Sequence, residues 1–157
     1  MNILQFIEQV QTARAELDAL IVRFSEMQFL QPGAAGEWRV KDILAHVAWH
    51  EKEMVGMLQA RALVGSDLWN LPLNQRNGEI FTLNKDRSLD EVRSEYSQIF
   101  PQLVLELEKL VDQDLHDPRR FPGMPEDWEP WQVIASNTYE HYQDHLADLQ
   151  AFLETQV

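Results

Sequence analysis

Apolar side chains recur at alternating intervals of three and four residues in four separate stretches, and this pattern constrains the fold more than any other feature of the chain. The first stretch, about residues 3–27, carries Ile3, Phe6, Ile7, Val10, Ala13, Leu17, Leu20, Ile21 and Phe24. Such spacing places apolar side chains on one face of an α-helix. Similar patterns from Trp38 to near Gly65, over about residues 88–111 and over about residues 130–154 predict three more helices. No stretch has convincing strand alternation, so we expect an all-α four-helix bundle.

Local signals mark where these helices begin. Ser88 and Glu91 have the spacing of a capping box, in which each side chain bonds the backbone amide of the other. The apolar pattern that follows keeps its phase across Pro101, which predicts a kinked rather than a broken helix. Pro130 is suited to the first turn of the last helix.

The connection from about Val64 to Arg87 is too long for a tight helical hairpin, whose loops usually take about 2–8 residues. It is long enough to cross the bundle, which lets the second and third helices run parallel. Residues 67–71 within it have the composition of a short extra helix that Pro72 limits. Nothing in the connection suggests a linker between domains, so we expect residues 1–157 to form a single domain.

Charge and cysteine content narrow the classes of function. The chain has 13 Lys and Arg against 26 Asp and Glu, a formal charge of −13, and no Cys. Nucleic acid and anionic membrane surfaces bind clustered Lys and Arg, so neither is expected as a partner. No apolar run approaches the roughly 20 residues of a membrane span, and we expect a soluble, cytoplasmic protein. Without cysteine, disulfides, thiolate metal sites and a cysteine nucleophile are excluded.

Histidine spacing points to a metal site. His141 and His145 lie one turn apart on an inward stripe of the last helix, and His46 lies beside core residues of the second helix. The depths of these positions match if the two helices are antiparallel, which together with the parallel pair favours up-down-down-up topology. Three neutral imidazoles suit a divalent transition metal and leave positions open for substrate. The alternative is that these histidines are ordinary core residues held by hydrogen bonds.

Other polar residues near this triad have more than one candidate role. His50 follows His46 by one turn, and it is a candidate fourth ligand, a residue that orients a ligand, or a boundary residue. Glu51 and Asp144 are candidates to orient an imidazole or to act as a base, although most carboxylates on such acidic helices face water. No catalytic residue is assigned.

The stretch WRVKDILAH from Trp38 to His46 and the stretch HYQDH from His141 to His145 resemble the two signatures of the DinB-like (YfiT-like) superfamily of bacterial four-helix bundles. The resemblance covers nearly the whole chain. It implies up-down-down-up topology, one nickel, zinc or iron ion bound by His46, His141 and His145, and a homodimer. A looser similarity to the ClbS/DfsB branch rests on Leu68, Trp69 and Asn70, the polar run to Asn77, and the positions of Trp49 and Glu51 relative to His46. It implies small-molecule resistance that does not depend on a metal triad.

Three functions therefore stay open. The leading one is a metal-dependent enzyme, a hydrolase or a thiol transferase that acts on a small electrophilic or toxic compound. Because the chain has no Cys, a transferase of this kind would need a low-molecular-weight thiol as cosubstrate. The second is a protein that sequesters a small molecule of the ClbS/DfsB kind without turnover, and the third is a purely structural bundle.

Overall fold

A computed structural model of the chain describes residues 1–156 as a helical bundle, which confirms the predicted all-α class. The helices are α1 (Ile3–Ile21), α2 (Glu26–Phe29), α3 (Val40–Ala60), α4 (Leu73–Asn84), α5 (Leu89–Glu108), α6 (Pro130–Ser136) and α7 (Tyr139–Glu154). Three short 3₁₀ turns lie at Asp67–Asn70, Asp112–Leu115 and Pro118–Arg120. Within residues 1–156 the extended pairing is limited to an isolated bridge between Ala35 and Trp38.

The two central helices, α3 and α5, run parallel. Lys41 Nζ, in the first turn of α3, donates to the carbonyl oxygen of Arg87, two residues before α5 begins. Near their last turns Gln59 Nε2 lies 3.4 Å from Glu106 Oε1. The long crossover expected from sequence is therefore present, because parallel neighbours cannot be joined by a short turn.

Helix α1 runs opposite to this pair, and α7 runs with α1. The amide of Ile3 at the start of α1 donates to Asp112, which lies just past the end of α5, at 2.8 Å. Phe6 packs on Tyr139 at the start of α7, with ring centroids 5.7 Å apart. Phe24, just after α1, stacks on Phe152 near the end of α7 at 5.9 Å. These contacts establish up-down-down-up topology, as predicted.

The crossover contains a helix that the sequence analysis did not predict. Besides the expected short turn at Asp67–Asn70, residues Leu73–Asn84 form α4, which packs against α3. Among residues of α4, Ile80 alone is fully buried, so the segment has little amphipathic pattern to find. Phe81 stacks on Trp38 with ring centroids 5.8 Å apart, and this contact holds α4 over the beginning of α3.

The first and last predicted helices are each divided in two. Helix α1 ends at Ile21, and Ser25 caps the short helix α2 by accepting a hydrogen bond from the amide of Gln28 at 3.2 Å. At the other end of the chain, α6 stops at Ser136 and α7 begins at Tyr139. Asn137 and Thr138 between them turn their side chains back to carbonyl oxygens of α6, and such bonds compete with continuation of a helix.

One of the two hydrogen bonds of the predicted capping box is present at the start of α5. Ser88 Oγ accepts from the amide of Glu91 at 3.1 Å, but Glu91 lies 3.9 Å from Arg87 and is not bonded to the Ser88 amide. The helix continues through Pro101 to Glu108, as the apolar phase indicated.

Candidate functional site

Four of the five histidines meet where α3 passes α7. His46 and His50 come from consecutive turns of α3, and His141 and His145 from consecutive turns of α7. Ring centroids lie 4.7 Å apart for His46 and His50, 4.9 Å for His46 and His141, 5.2 Å for His46 and His145, 4.3 Å for His50 and His141, and 4.5 Å for His141 and His145. The structure thus brings the predicted triad together and adds His50 to it.

All four imidazoles are neutral at physiological pH. Burial lowers the pKa of His46 from 6.5 to about 2, and that of His50 to about 4. Burial also lowers the pKa of His141 well below its ordinary value and lowers that of His145. Neutral imidazole is the form that binds a metal ion, because one of its nitrogens keeps a free electron pair.

The tautomer of His50 is set by Asn137, in the break between α6 and α7. Asn137 Nδ2 donates to the carbonyl oxygen of Val133 at 2.8 Å, and this bond orients the amide so that its Oδ1 faces His50. That oxygen lies 2.7 Å from His50 Nδ1. Because a carbonyl oxygen can only accept, His50 Nδ1 must carry the proton. His50 Nε2 then has a free electron pair.

The two histidines of α7 are in direct contact. His145 Nε2 lies 2.9 Å from His141 Nε2. Two imidazole nitrogens at this distance either share one proton or both face the same cation. Asp148 Oδ2 lies 3.9 Å from His145 Nδ1, one turn further along α7, and its charge partly offsets the lowering of the pKa of His145.

The cluster fits a transition-metal ion by its donor chemistry. The buried ring nitrogens His46 Nδ1, His50 Nε2, His141 Nδ1 and His145 Nδ1 have no hydrogen-bond partner in the described chain. Leaving such a group unsatisfied costs about 1–3 kcal/mol, so four together indicate a missing partner. One ligand atom each from His46, His50 and His141 lie within 4.8 Å of one another, a group that contains His50 in place of the predicted ligand His145. Zinc bonds of about 2.1 Å join nitrogens at most about 4.2 Å apart, so small ring rotations would close this group on one ion.

Glu51, a candidate to orient a ligand, lies instead in a network on the other side of α3. Both of its carboxylate oxygens accept from Arg14 Nη1, at 2.9 and 2.6 Å, and Tyr142 donates to it at 2.5 Å. Arg14 also donates to the carbonyl oxygen of Tyr96 at 2.8 Å. Burial raises the pKa of Glu51 from 4.5 to about 7, against the opposing effect of Arg14. This buried network joins α1, α3, α5 and α7 behind the histidines.

The remaining residues weighed from sequence lie further out. Asp144 is exposed, and its charge acts on His145 through space. His116, the fifth histidine, is in a loop, where its side chain is 44% exposed and lies 3.4 Å from Glu129. Neither residue contacts the cluster within the described chain.

Aromatic residues form a wall beside His50. Trp49 and Trp69 pack on the His50 ring with centroids 5.0 and 5.7 Å away. Trp69 is fixed by Glu53, which accepts from its indole nitrogen at 2.9 Å. Beyond Trp69 and Asn137 lies a cavity of about 640 Å³, which Met54, Met57, Leu63, Trp128 and Gln132 also line. A small molecule in this cavity would lie next to the residue that orients His50.

Sequence reasoning missed Asn137 and Arg76, and it used Trp69 only as one of the residues that carry the similarity to the ClbS/DfsB branch. Asn137 was hidden because residues 130–154 look like one continuous helix, although Asn and Thr side by side are residues that compete with the helical backbone. Trp69 and Arg76 belong to the crossover, which the apolar pattern left unstructured. The guanidinium carbon of Arg76 lies 4.7 Å from the centre of the Trp69 ring.

A buried histidine cluster within an up-down-down-up bundle defines a class of helical proteins with a candidate metal centre. The family model of the DinB superfamily matches residues 9–149, and the chain belongs to this superfamily. The resemblance noted from the two histidine motifs is confirmed. No curated protein matches the chain.

Solved structures share the fold at low sequence identity. The colibactin self-resistance protein ClbS, solved in complex with double-stranded DNA, superposes with a TM-score of 0.80 at 12% identity, covering 97% of this chain and 95% of that one. DfsB, described as a sibling lethal factor precursor, gives 0.80 at 15% identity, with 99% and 97% covered. An uncharacterised protein from Escherichia coli UTI89 gives 0.76 at 13% identity, with 99% and 94% covered.

One expectation about partners is wrong. Nucleic acid was excluded on net charge, but ClbS, a protein of this fold, is solved with bound double-stranded DNA. Net charge is a sum over the whole surface, whereas a phosphate backbone responds to local charge. In this chain Arg61, Lys109, Arg119 and Arg120 line one groove, and each of them is paired with a carboxylate of Asp114, Glu106 or Asp117. As for membranes, every helix within residues 1–156 is too short or too polar to cross one.

Proposed function

We propose that this protein is a metal-dependent enzyme that activates a small electrophilic compound for attack by water or by a thiol. The observation that carries this proposal is the set of neutral imidazoles that each have one buried ring nitrogen without a hydrogen-bond partner. Ordinary core histidines have both ring nitrogens paired, as buried polar groups do in general. Here the arrangement leaves free donor atoms from two helices facing one another, which is the arrangement that metal coordination requires.

His46, His141 and His145 would hold the ion, as the family resemblance implies, and His50 is aligned to join them. When bound, a divalent transition metal supplies Lewis acidity to an electrophilic group of the substrate. Asn137 keeps the proton of His50 on Nδ1, so that Nε2 stays free for the site. Trp49 and Trp69 shield the histidines from water, and the adjoining cavity gives room for an apolar substrate.

The nucleophile has to come from outside the chain or from solvent. The chain has no Cys, so a sulfur nucleophile would be a low-molecular-weight thiol. Asp148 Oδ2 lies 3.9 Å from His145 Nδ1, where its charge favours a proton on that ring.

Metal analysis of untagged protein tests the proposal directly. We expect stoichiometric nickel, zinc or iron, either as purified or after incubation with each ion, and loss of that metal in the variant His46→Ala. His116→Ala is the matched control, because His116 is an exposed loop histidine outside the cluster. If the protein holds no stoichiometric metal under any of these conditions, the proposal fails.

Turnover distinguishes the proposed enzyme from the second candidate function, a protein that sequesters a small molecule. Sequestration is favoured by the aromatic cavity beside Trp69 and Trp128. It is also in keeping with the name of ClbS, a self-resistance protein of the same fold. An activated ester such as p-nitrophenyl acetate, alone and with N-acetylcysteine, gives a product that can be followed over time. An enzyme releases many equivalents of product per chain, whereas a sequestering protein binds at most one equivalent of the ester and releases no product.

A further inference from the structure

Arg76 lies beside the histidine cluster, on α4, and stacks on Trp69. Its guanidinium carbon is 4.7 Å from the centre of the Trp69 ring, and the same ring packs on His50. The charge of Arg76 contributes to lowering the pKa of both His46 and His50, so it acts within the field of the cluster. The stacking fixes the plane of the guanidinium against the aromatic wall.

The binding edge of this guanidinium is free. Within residues 1–156 its hydrogen bonding is limited to Nη1, which lies 3.4 Å from the carbonyl oxygen of Leu71. Arg76 Nε is buried without a partner, and no carboxylate of the described chain pairs with the side chain. Acidic residues outnumber basic ones by 26 to 13 in this chain, so an arginine beside the cluster without an acidic neighbour is informative. An unpaired, partly buried cation is unfavourable unless an anion joins it.

The free edge also has a defined shape. Nε and Nη2 donate in parallel from one side of a planar group, which matches the two oxygens of a carboxylate. The Trp69 ring on which the guanidinium stacks also lines the neighbouring cavity, together with apolar and aromatic side chains such as Met54 and Trp128, whereas Arg76 itself is not part of that lining. An occupant that pairs with the guanidinium and reaches past Trp69 into this cavity is a carboxylate attached to an apolar or aromatic group.

We propose that Arg76 is a substrate-binding residue that pairs with a carboxylate group of a small apolar or aromatic molecule, and so selects carboxylate-bearing substrates at the proposed metal centre. The inference rests on the proposed function only in calling the bound molecule a substrate of the metal centre. The pairing itself involves Arg76 and the Trp69 wall, and it does not require the metal. A negative charge placed between Arg76 and a divalent cation would also reduce the repulsion between those two cations.

Benzoate is a suitable probe, with benzamide as its uncharged analogue. The experiment follows the Nε–H resonance of Arg76 by NMR while benzoate is added to metal-free protein, and the resonance is assigned by its loss in Arg76→Gln. We expect benzoate to shift this resonance and benzamide to leave it nearly unchanged. Isothermal titration should show benzoate binding weakened roughly tenfold or more in Arg76→Gln, as loss of charge-assisted bonds predicts, and partly retained in Arg76→Lys.

Arg93→Gln is the matched control. Arg93 also stacks on an aromatic ring, 4.2 Å from the centre of Phe29, and its substitution changes the net charge by the same amount. Benzoate binding should be unchanged in this variant. The inference is overturned if Arg76→Gln binds benzoate as tightly as the parent while the Trp69 indole resonance shows the wall intact, or if benzamide binds as well as benzoate.

The metal-free titration keeps this inference separate from the proposed function. If nickel, zinc and iron all fail to bind but benzoate affinity still depends on Arg76, the metal centre is refuted and the carboxylate site stands. If a metal binds and the benzoate affinity of Arg76→Gln equals that of the parent, the carboxylate site is refuted and the metal centre stands.

Discussion

Asn137 Oδ1 lies 2.7 Å from His50 Nδ1, and this contact determines which nitrogen of His50 is free. Asn137 is available for this role because the last long helix of the bundle is interrupted between Ser136 and Tyr139. An irregularity of the backbone thus controls the chemistry of a histidine on another helix.

Replacing Asn137 with Ala should weaken metal binding by about 10- to 100-fold, the usual effect of losing a residue that orients a metal ligand. Without the amide, His50 can carry its proton on either nitrogen and can rotate. Competition between the protein and a zinc chelator of known affinity measures the change. Asn137→Asp should bind zinc at least as well as the parent, because its carboxylate also accepts from Nδ1.

Ser136→Ala is the control, because Ser136 lies next to Asn137 but is exposed, and it should leave zinc affinity unchanged. Zinc affinity in Asn137→Ala equal to that of the parent would contradict the interpretation.

The metal-free protein should lose stability as the pH falls below about 6.5. An unfolded chain protonates its histidines there, whereas native His46 and His50 stay neutral down to pH values of about 2 and 4, their lowered pKa values. The unfolded state therefore binds more protons, and each such histidine reduces the free energy of unfolding by up to about 1.4 kcal/mol per pH unit.

The titration of Glu51 has the opposite effect on stability over part of this pH range. Its native pKa of about 7 exceeds the ordinary 4.5, so the native state takes up a proton first and gains stability as the pH falls between these values. The pKa values of four histidines are lowered against one raised carboxyl pKa, so the net effect should still be a loss. Urea unfolding in the presence of a chelator between pH 8 and 5 checks this. His50→Gln should flatten the profile, and a profile unchanged by that substitution would count against the buried neutral state.

Breaking the buried ion pair behind the site should be strongly destabilising. Arg14→Met leaves Glu51, which is fully buried, without its cation, and at pH 8, above the pKa of about 7 of Glu51, we expect a loss of up to about 3–5 kcal/mol in urea unfolding. The double variant Arg14→Met with Glu51→Leu should recover much of this loss, because no charge is then left unpaired. Zinc affinity should be little changed in the folded double variant. If the double variant is no more stable than Arg14→Met, the unpaired charge is not the cause.

Gly65→Ala should displace Trp69 from the wall beside His50. A Cβ at Gly65 would lie 2.9 Å from two atoms of the Trp69 ring and 3.2 Å from Glu53 Oε1, which holds that ring. The indole Nε1–H resonance of Trp69 should shift as its bond to Glu53 is disturbed.

Gly56→Ala is the matched control, since a Cβ there meets nothing within 4 Å. That change in mid-helix should stabilise the protein by about 0.5–1 kcal/mol. An unmoved Trp69 resonance in Gly65→Ala would contradict the assignment.

The apolar pattern predicted the bundle because its main helices bury continuous stripes. Residues such as Leu17, Val47, Leu103 and Leu149 face one core, so their spacing alone indicates the helix faces. The same reasoning paired His46 with His141 and His145, since residues at matching depth on antiparallel helices must meet. Topology and the approximate position of the cluster were therefore accessible from the sequence.

The surroundings of the cluster were not accessible in the same way. Helix α4 buries mainly Ile80, so it has no stripe to detect. Glu51 follows His50 directly, and side chains one residue apart on a helix point in different directions, which sends Glu51 to the core and His50 to the site. The role of Asn137 depends on a helix break that tertiary packing stabilises and that no local signal marked strongly.

The parallel course of α3 and α5 has a consequence for how such proteins diversify. Parallel neighbours oblige the chain to travel the length of the bundle, and the travelling segment passes over the histidines. Trp69 and Arg76 both belong to that segment, whereas the four histidines belong to the long helices. The segment that we propose contacts the ligand and the scaffold that positions the histidines are thus separate parts of one chain. Exchanging residues 61–88 between relatives should change which molecules are accepted while leaving the histidines in place.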